Sequence, residues 1–157
     1  MTNMKRRTFL KGSLAVGALG VAIGTGLVTP RVVLAAWPKD AFKATTVNDA
    51  LKSLLGSSAL MGSSKVKLKA PDIAENGAVV PVSVTASIDG VDSITILAEK
   101  NLNPLAASFK LGPGTEPYIS TRIKMGKTSS VIAVVKAGGK LYSTGKQVKV
   151  TIGGCGG

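Results

Sequence analysis

The residue types able to do chemistry in this sequence converge on one atom, the sulfur of Cys155. It is the only cysteine in 157 residues, and it stands between Gly153-Gly154 and Gly156-Gly157. A thiolate is a nucleophile that forms covalent adducts. Glycine has no Cβ to restrict the backbone or to pack. Such a segment cannot bury enough apolar surface to offset its ordering entropy, and it is expected to be a flexible arm. Five residues at about 3.3–3.6 Å each extend to roughly 17 Å. Two readings follow: a chain terminus that happens to contain a cysteine, or an arm that carries an adduct into clefts on other proteins.

Other chemistries are poorly supplied. Histidine is absent, which removes Ser-His-Asp and Cys-His catalysis and the common His-containing zinc sites. A single cysteine excludes Cys₄ sites, an intrachain disulfide and a C-x-x-C redox pair. No metal ligand set and no cofactor site is expected. Asp72, Glu75, Asp89 and Asp92 gather near turns, where Asp89-Gly90 is ordinary turn chemistry and no EF-hand spacing occurs. By elimination the chain is expected to be non-catalytic.

Five of the twenty Lys and Arg lie before Ala36 and none of the eight Asp and Glu do, so the remainder carries about +7. Its lysines are scattered and alternate with apolar residues, as on the solvated face of strands. There are six aromatic residues and no nucleic-acid-binding motif. Nucleic acid is therefore not an expected partner; an anionic substrate or an acidic protein suits the charge better.

The elements that must present the cysteine can be read in order. Residues 1–35 read as an export signal: Lys5-Arg6-Arg7-Thr8-Phe9-Leu10-Lys11 is a twin-arginine pattern, with Lys5 where Ser or Thr is usual. A Gly/Ala-rich apolar stretch follows, and Val33-Leu34-Ala35 offers cleavage before Ala36. That stretch is short and glycine-rich for a retained span, so no stable membrane anchor is expected. Residues 36–62 read as an N-terminal helical segment. Pro38–Phe42 opens a short turn, and Thr46 with Asp49 forms a capping signal. Val47, Ala50, Leu51, Leu54 and Leu55 then make one apolar stripe, stopped at Gly56.

Residues 63–152 read as strands. Expected strands cover 65–69, 78–88 (with Pro81 at an edge or a strand start), 91–99, 105–110, 118–125, 129–136, 140–144 and 146–152. Turn signals lie at Asn76-Gly77, Asp89-Gly90 and Gly138-Gly139. Val131–Val135 is apolar enough for a central strand. Seven or eight short strands with such turns predict an antiparallel, immunoglobulin-like β-sandwich, although the disulfide usual to that fold is missing. Residues 153–157 read as the flexible arm.

An exported protein with one unpaired thiol, placed on polyglycine just after a strand, resembles the SoxY family of sulfur-oxidising multienzyme systems. The resemblance is carried by the twin-arginine leader, by Ala44-Thr45-Thr46-Val47 through Leu51, by Ala70-Pro71 with Ile73–Pro81, and by the terminal Gly-Gly-Cys-Gly-Gly. It implies that Cys155 is a covalent anchor for sulfur. A haem enzyme would load thiosulfate onto it, a hydrolase would release sulfate, and a sulfane dehydrogenase would oxidise the remaining sulfur. The resemblance further implies a heterodimer with SoxZ, exported already folded to the periplasm. Two other readings stay open. One is an exported structural or adhesion module tethered by an intermolecular disulfide. The other is a thiocarboxylate carrier using Gly156-Gly157, which the export leader disfavours.

Overall fold

The computed structural model describes residues 38–152. Lys39–Lys43 forms α1 and Val47–Leu55 forms α2. Helix α2 begins where its capping signal lies, because the Thr46 hydroxyl accepts the Asp49 amide at 3.1 Å. It stops at Gly56, which is left-handed at φ 81°, a conformation that costs a residue bearing a Cβ about 1–2 kcal/mol. Its apolar stripe lies over a sheet: Ala50 and Leu51 are fully buried and pack with Leu97, Leu105, Val134 and Leu141.

Among the described residues nine strands follow: β1 Leu60–Gly62, β2 Val66–Lys69, β3 Ile73–Asn76, β4 Val80–Ala86, β5 Val91–Ala98, β6 Leu105–Lys110, β7 Tyr118–Ile123, β8 Ser129–Ala137 and β9 Lys140–Ile152. They make an immunoglobulin-like β-sandwich. One sheet has the order β1-β9-β8-β5-β6, and the other is β2-β4-β7. Residues alternating inward from both sheets, among them Val82, Val84, Ile94, Ile96, Val135 and Val148, fill the space between them. On β5 and β8 the opposite faces are buried as well, through Leu97 and Val134, because the helices cover that side. This double burial is why 131–135 reads as a continuous apolar run.

The positive φ of Gly138 and Gly139, 54° and 74°, is what a two-residue hairpin between β8 and β9 requires. Pro81 sits at the second position of β4, the central strand of its sheet. Strand β2 pairs only with Ser83–Ala86, so at Pro81 the β2 side is open and the missing N–H costs no ladder bond.

Three expectations need correction. Residues 60–62, expected in a helical segment, form β1, which pairs parallel with Leu141–Ser143. Residues 73–76, to which no strand is assigned from sequence, form β3, also parallel to β9. The break expected at Gly145 does not occur: Gly145 pairs with Ile132, and β9 runs unbroken for 13 residues. The sandwich is antiparallel except for these two short parallel additions. Among the described residues no helix is long and apolar enough to cross a membrane.

Candidate functional site

The residues singled out by sequence, Cys155 with Gly153, Gly154, Gly156 and Gly157, and Arg6 with Arg7, lie outside the described residues. What the structure supplies is the mount from which residue 153 continues. That mount is the C-terminal half of β9.

The first half of β9 is paired with β8 from Lys140↔Ala137 to Val148↔Ser129. Beyond Val148, β3 takes over, with Ile73 opposite Lys149, Ala74 opposite Val150 and Asn76 opposite Ile152. The handover is fixed by side chains. Lys146 Nζ donates to the Ala70 carbonyl at 2.6 Å and pairs with Asp72 at 3.0 Å, and the Lys149 amide donates to the Asp72 carbonyl at 2.9 Å. Thr151 Oγ1 donates to the Glu75 carbonyl at 3.0 Å.

On the other edge, the Thr128 hydroxyl stands in for the β8 backbone. It accepts the Val150 amide at 2.9 Å and donates to the Val150 carbonyl at 3.3 Å. The Gly77 amide donates to the Ile152 carbonyl at 2.8 Å, so the strand is tied down to its last described residue. The Asn-Gly turn thus does more than reverse the chain. Asn76 Oδ1 accepts the Ala78 amide at 2.8 Å, closing an Asx turn that aims the next amide at β9.

Sequence reasoning missed β3 and Thr128. Their signal is slight: Ile73–Asn76 has only Ala74 buried, and a lone threonine in a loop has no periodicity. Around the mount, Ile73, Val79 and Ile152 are more than half exposed. The four carboxylates read as a group separate into two places. Asp72 precedes β3 and Glu75 lies in it, beside the mount, whereas Asp89 and Asp92 lie at the opposite end of the sheet, next to the β8–β9 hairpin. Among the described residues no group of three or more His, Cys, Asp or Glu is placed to hold a metal ion.

The chain has recognisable relatives. Residues 51–155 match the family model of the sulfur oxidation protein SoxY, a span that includes Cys155. Residues 3–22, including Arg6 and Arg7, match the signal sequence of the twin-arginine translocation pathway. Among solved structures, the sulfur carrier protein SoxY from Chlorobium limicola f thiosulfatophilum is 45% identical, with a TM-score of 0.62 over 68% of this chain and 97% of that one. The human F-spondin reeler domain is 13% identical over 58% and 94% of the two chains, with a TM-score of 0.39. The PKD domain of an M14-like peptidase from a Thermoplasmatales archaeon is 16% identical over 54% and 92%, with a TM-score of 0.31. No curated sequence matches the chain.

Proposed function

The chain belongs to the SoxY family, and from that premise we propose that it is a non-catalytic sulfur carrier whose covalent attachment point is Cys155. It is a sulfur carrier in the sulfur-oxidising system, and its twin-arginine signal takes it to the periplasm. The observation that carries the finer reading is the family match itself, which runs to residue 155 and ends on the cysteine. The mount described above supports it: five residues follow a strand held by β3 and Gly77 as far as Ile152 and by Thr128 at Val150.

The chemistry then runs as three steps on one sulfur. Oxidative loading joins the Cys155 thiolate to the sulfane sulfur of thiosulfate, giving Cys–S–S–SO₃⁻ and passing two electrons to a haem enzyme. Hydrolysis by a second enzyme adds water across the terminal S–S bond, leaving a persulfide and releasing hydrogensulfate. A sulfane dehydrogenase oxidises the sulfur that remains. SoxZ is the partner with which the sandwich pairs. In this scheme the signal occupies residues 1–35, the helices Lys39–Lys43 and Val47–Leu55 follow, the sandwich runs from β1 at Leu60 to Ile152, and the arm is 153–157. Gly153, Gly154, Gly156 and Gly157 give the arm steric access to each enzyme's cleft, because residues without Cβ atoms present the least bulk beside the reacting sulfur.

Intact-mass spectrometry of the exported protein, incubated with thiosulfate and the other components, tests this. Sulfur-bearing adducts that are absent from Cys155→Ser are the expected result, and identical spectra for the two proteins would refute the proposal.

A further inference from the structure

The Asn76-Gly77 turn holds a reaction that the carrier role does not use. An asparagine followed by glycine can close a succinimide, because the glycine nitrogen approaches the side-chain carbonyl with no Cβ beside it to crowd the path. The Gly77 nitrogen bonds to Asn76 Cγ, the bond from Cγ to the side-chain nitrogen breaks, and ammonia leaves with the proton that Gly77 gives up. Water then opens the ring at either carbonyl. One opening gives aspartate. The other gives isoaspartate, whose main chain runs through Cβ and Cγ and is longer by a methylene.

The turn is shaped for the first step. Asn76 Oδ1 accepts the Ala78 amide at 2.8 Å, and the ring closed by that bond contains both Cγ and the Gly77 nitrogen. The side chain is therefore held folded over the Gly77 peptide. The same bond aims an N–H at the oxygen on which negative charge develops during attack, an arrangement that stabilises an oxyanion. Asn76 is exposed, so water can enter and ammonia can depart.

The restraint comes from β9. Gly77 is buried; its amide donates to the Ile152 carbonyl at 2.8 Å, and its carbonyl accepts the Met125 amide at 2.7 Å. While the first bond stands, the Gly77 proton is held and the peptide cannot turn toward Cγ. Two neighbouring features keep that bond made. Asn76 pairs with Ile152 in the parallel ladder, and Thr151 Oγ1 donates to the Glu75 carbonyl at 3.0 Å. Thr151 and Ile152 are exposed, so this end of the strand opens more often than the interior of the sheet.

We propose that Asn76 is a site of spontaneous deamidation and backbone isomerisation, gated by the end of β9. Aspartate at 76 keeps the turn, because a carboxylate oxygen accepts the Ala78 amide as the side-chain amide oxygen does. Isoaspartate does not keep it: the added methylene displaces Gly77, and its bonds to Ile152 and to Met125 are lost. The modification thus frees the last pairs of β9 from β3 and from the β7–β8 loop, permanently, in the molecules that isomerise. Neither step involves Cys155, so the site stands or falls apart from the carrier role.

The tryptic peptide Ala70–Lys100 contains Asn76 and no other asparagine or glutamine. Conversion of the amide to an acid is read from its mass, and fragmentation separates isoaspartate at 76 from isomerisation at Asp89-Gly90. The exported protein is incubated at mildly alkaline pH, folded and in denaturing guanidinium chloride, while hydrogen exchange follows the Gly77 amide. Conversion should be roughly tenfold or more slower in the folded protein. Thr151→Val should raise Gly77 exchange and conversion together, roughly two- to fivefold, and low guanidinium should raise both by a second route. Equal rates in the folded and denatured protein, or conversion that fails to follow Gly77 exchange, would overturn the gate. Absence of conversion in the denatured chain would overturn the site.

The isomerised protein is then separated by chromatography and compared with Asn76→Asp, which carries the same charge on an unaltered main chain. The Gly77 and Met125 amides should lose protection in the isoaspartate form and keep it in Asn76→Asp. Retained protection in the isoaspartate form would overturn the release of β9, and equal loss in both would assign the effect to charge.

Discussion

The Thr128 hydroxyl is the sharpest point at which to test how the arm is mounted. Past Val148, β9 has lost β8 as a neighbour, and this one side chain supplies partners for both the N–H and the C=O of Val150. Thr128→Val keeps the shape and removes the hydroxyl. A neutral hydrogen bond contributes about 0.5–1.5 kcal/mol net. The 2.9 Å bond belongs near the middle of that range and the 3.3 Å bond at its lower end. Val150 and Thr128 are half-buried, so water recovers part of the loss, and the expected net cost is about 1–1.5 kcal/mol. That corresponds to a local opening roughly 5- to 12-fold more frequent. Native-state hydrogen exchange should show the Val150 amide losing protection by that factor, while Val134 in the centre of β8 keeps its own. Thr128→Ser, which retains the hydroxyl, should restore most of the protection. Unchanged exchange at Val150, or equal acceleration at Val134, would refute the claim that Thr128 clamps the mount locally.

Other perturbations separate the roles of the remaining parts. Gly154→Pro and Gly156→Pro should slow loading of Cys155 by partner enzymes far more than they slow its alkylation by a small reagent; equal effects would mean that the glycines tune the thiol itself. Leu51→Ala removes a fully buried side chain between α2 and the sheet and should cost about 2–5 kcal/mol in urea unfolding. A loss under about 1 kcal/mol would show that the helix is not part of the core. The Ser129 hydroxyl is buried with no hydrogen-bond partner among the described residues, so Ser129→Ala should leave the melting temperature unchanged or raise it by a few degrees, and a clear fall in Tm would contradict that assignment.

What the sequence announces is what local chemistry decides. Helix α2 is bounded by Thr46 and Gly56 because capping and left-handed φ are properties of those residues themselves. The β8–β9 hairpin is legible in Gly138-Gly139 for the same reason. Strands β1 and β3 are hidden because their partners lie more than 70 residues away and because β1 is exposed at every position, which leaves no alternation to read. Gly145 misleads in the opposite direction. Glycine in a strand pattern suggests a break, yet its backbone has an ordinary φ and pairs with Ile132. At the site, cysteine and glycine identities are visible in the sequence, but the means of anchoring them is a set of non-local backbone contacts. The β5–β6 loop and the β7–β8 loop are likewise joined through Asn101 across more than twenty residues, a proximity that no spacing rule reports.

The unbroken course of β9 also has a mechanical meaning. A load that reaches the domain through the chain beyond Ile152 acts on β9 from its C-terminal side. A pull along β9 loads its ladders with β8, β3 and β1 lengthwise, so many hydrogen bonds share the force at once. The same force applied at the Gly138-Gly139 hairpin would open the β8–β9 ladder one pair at a time. Single-molecule stretching from position 155 should therefore rupture the domain at a higher force than stretching from position 139, and equal forces would contradict the shear geometry. The fold resists a load at the C-terminal end of β9 better than one at the β8–β9 hairpin.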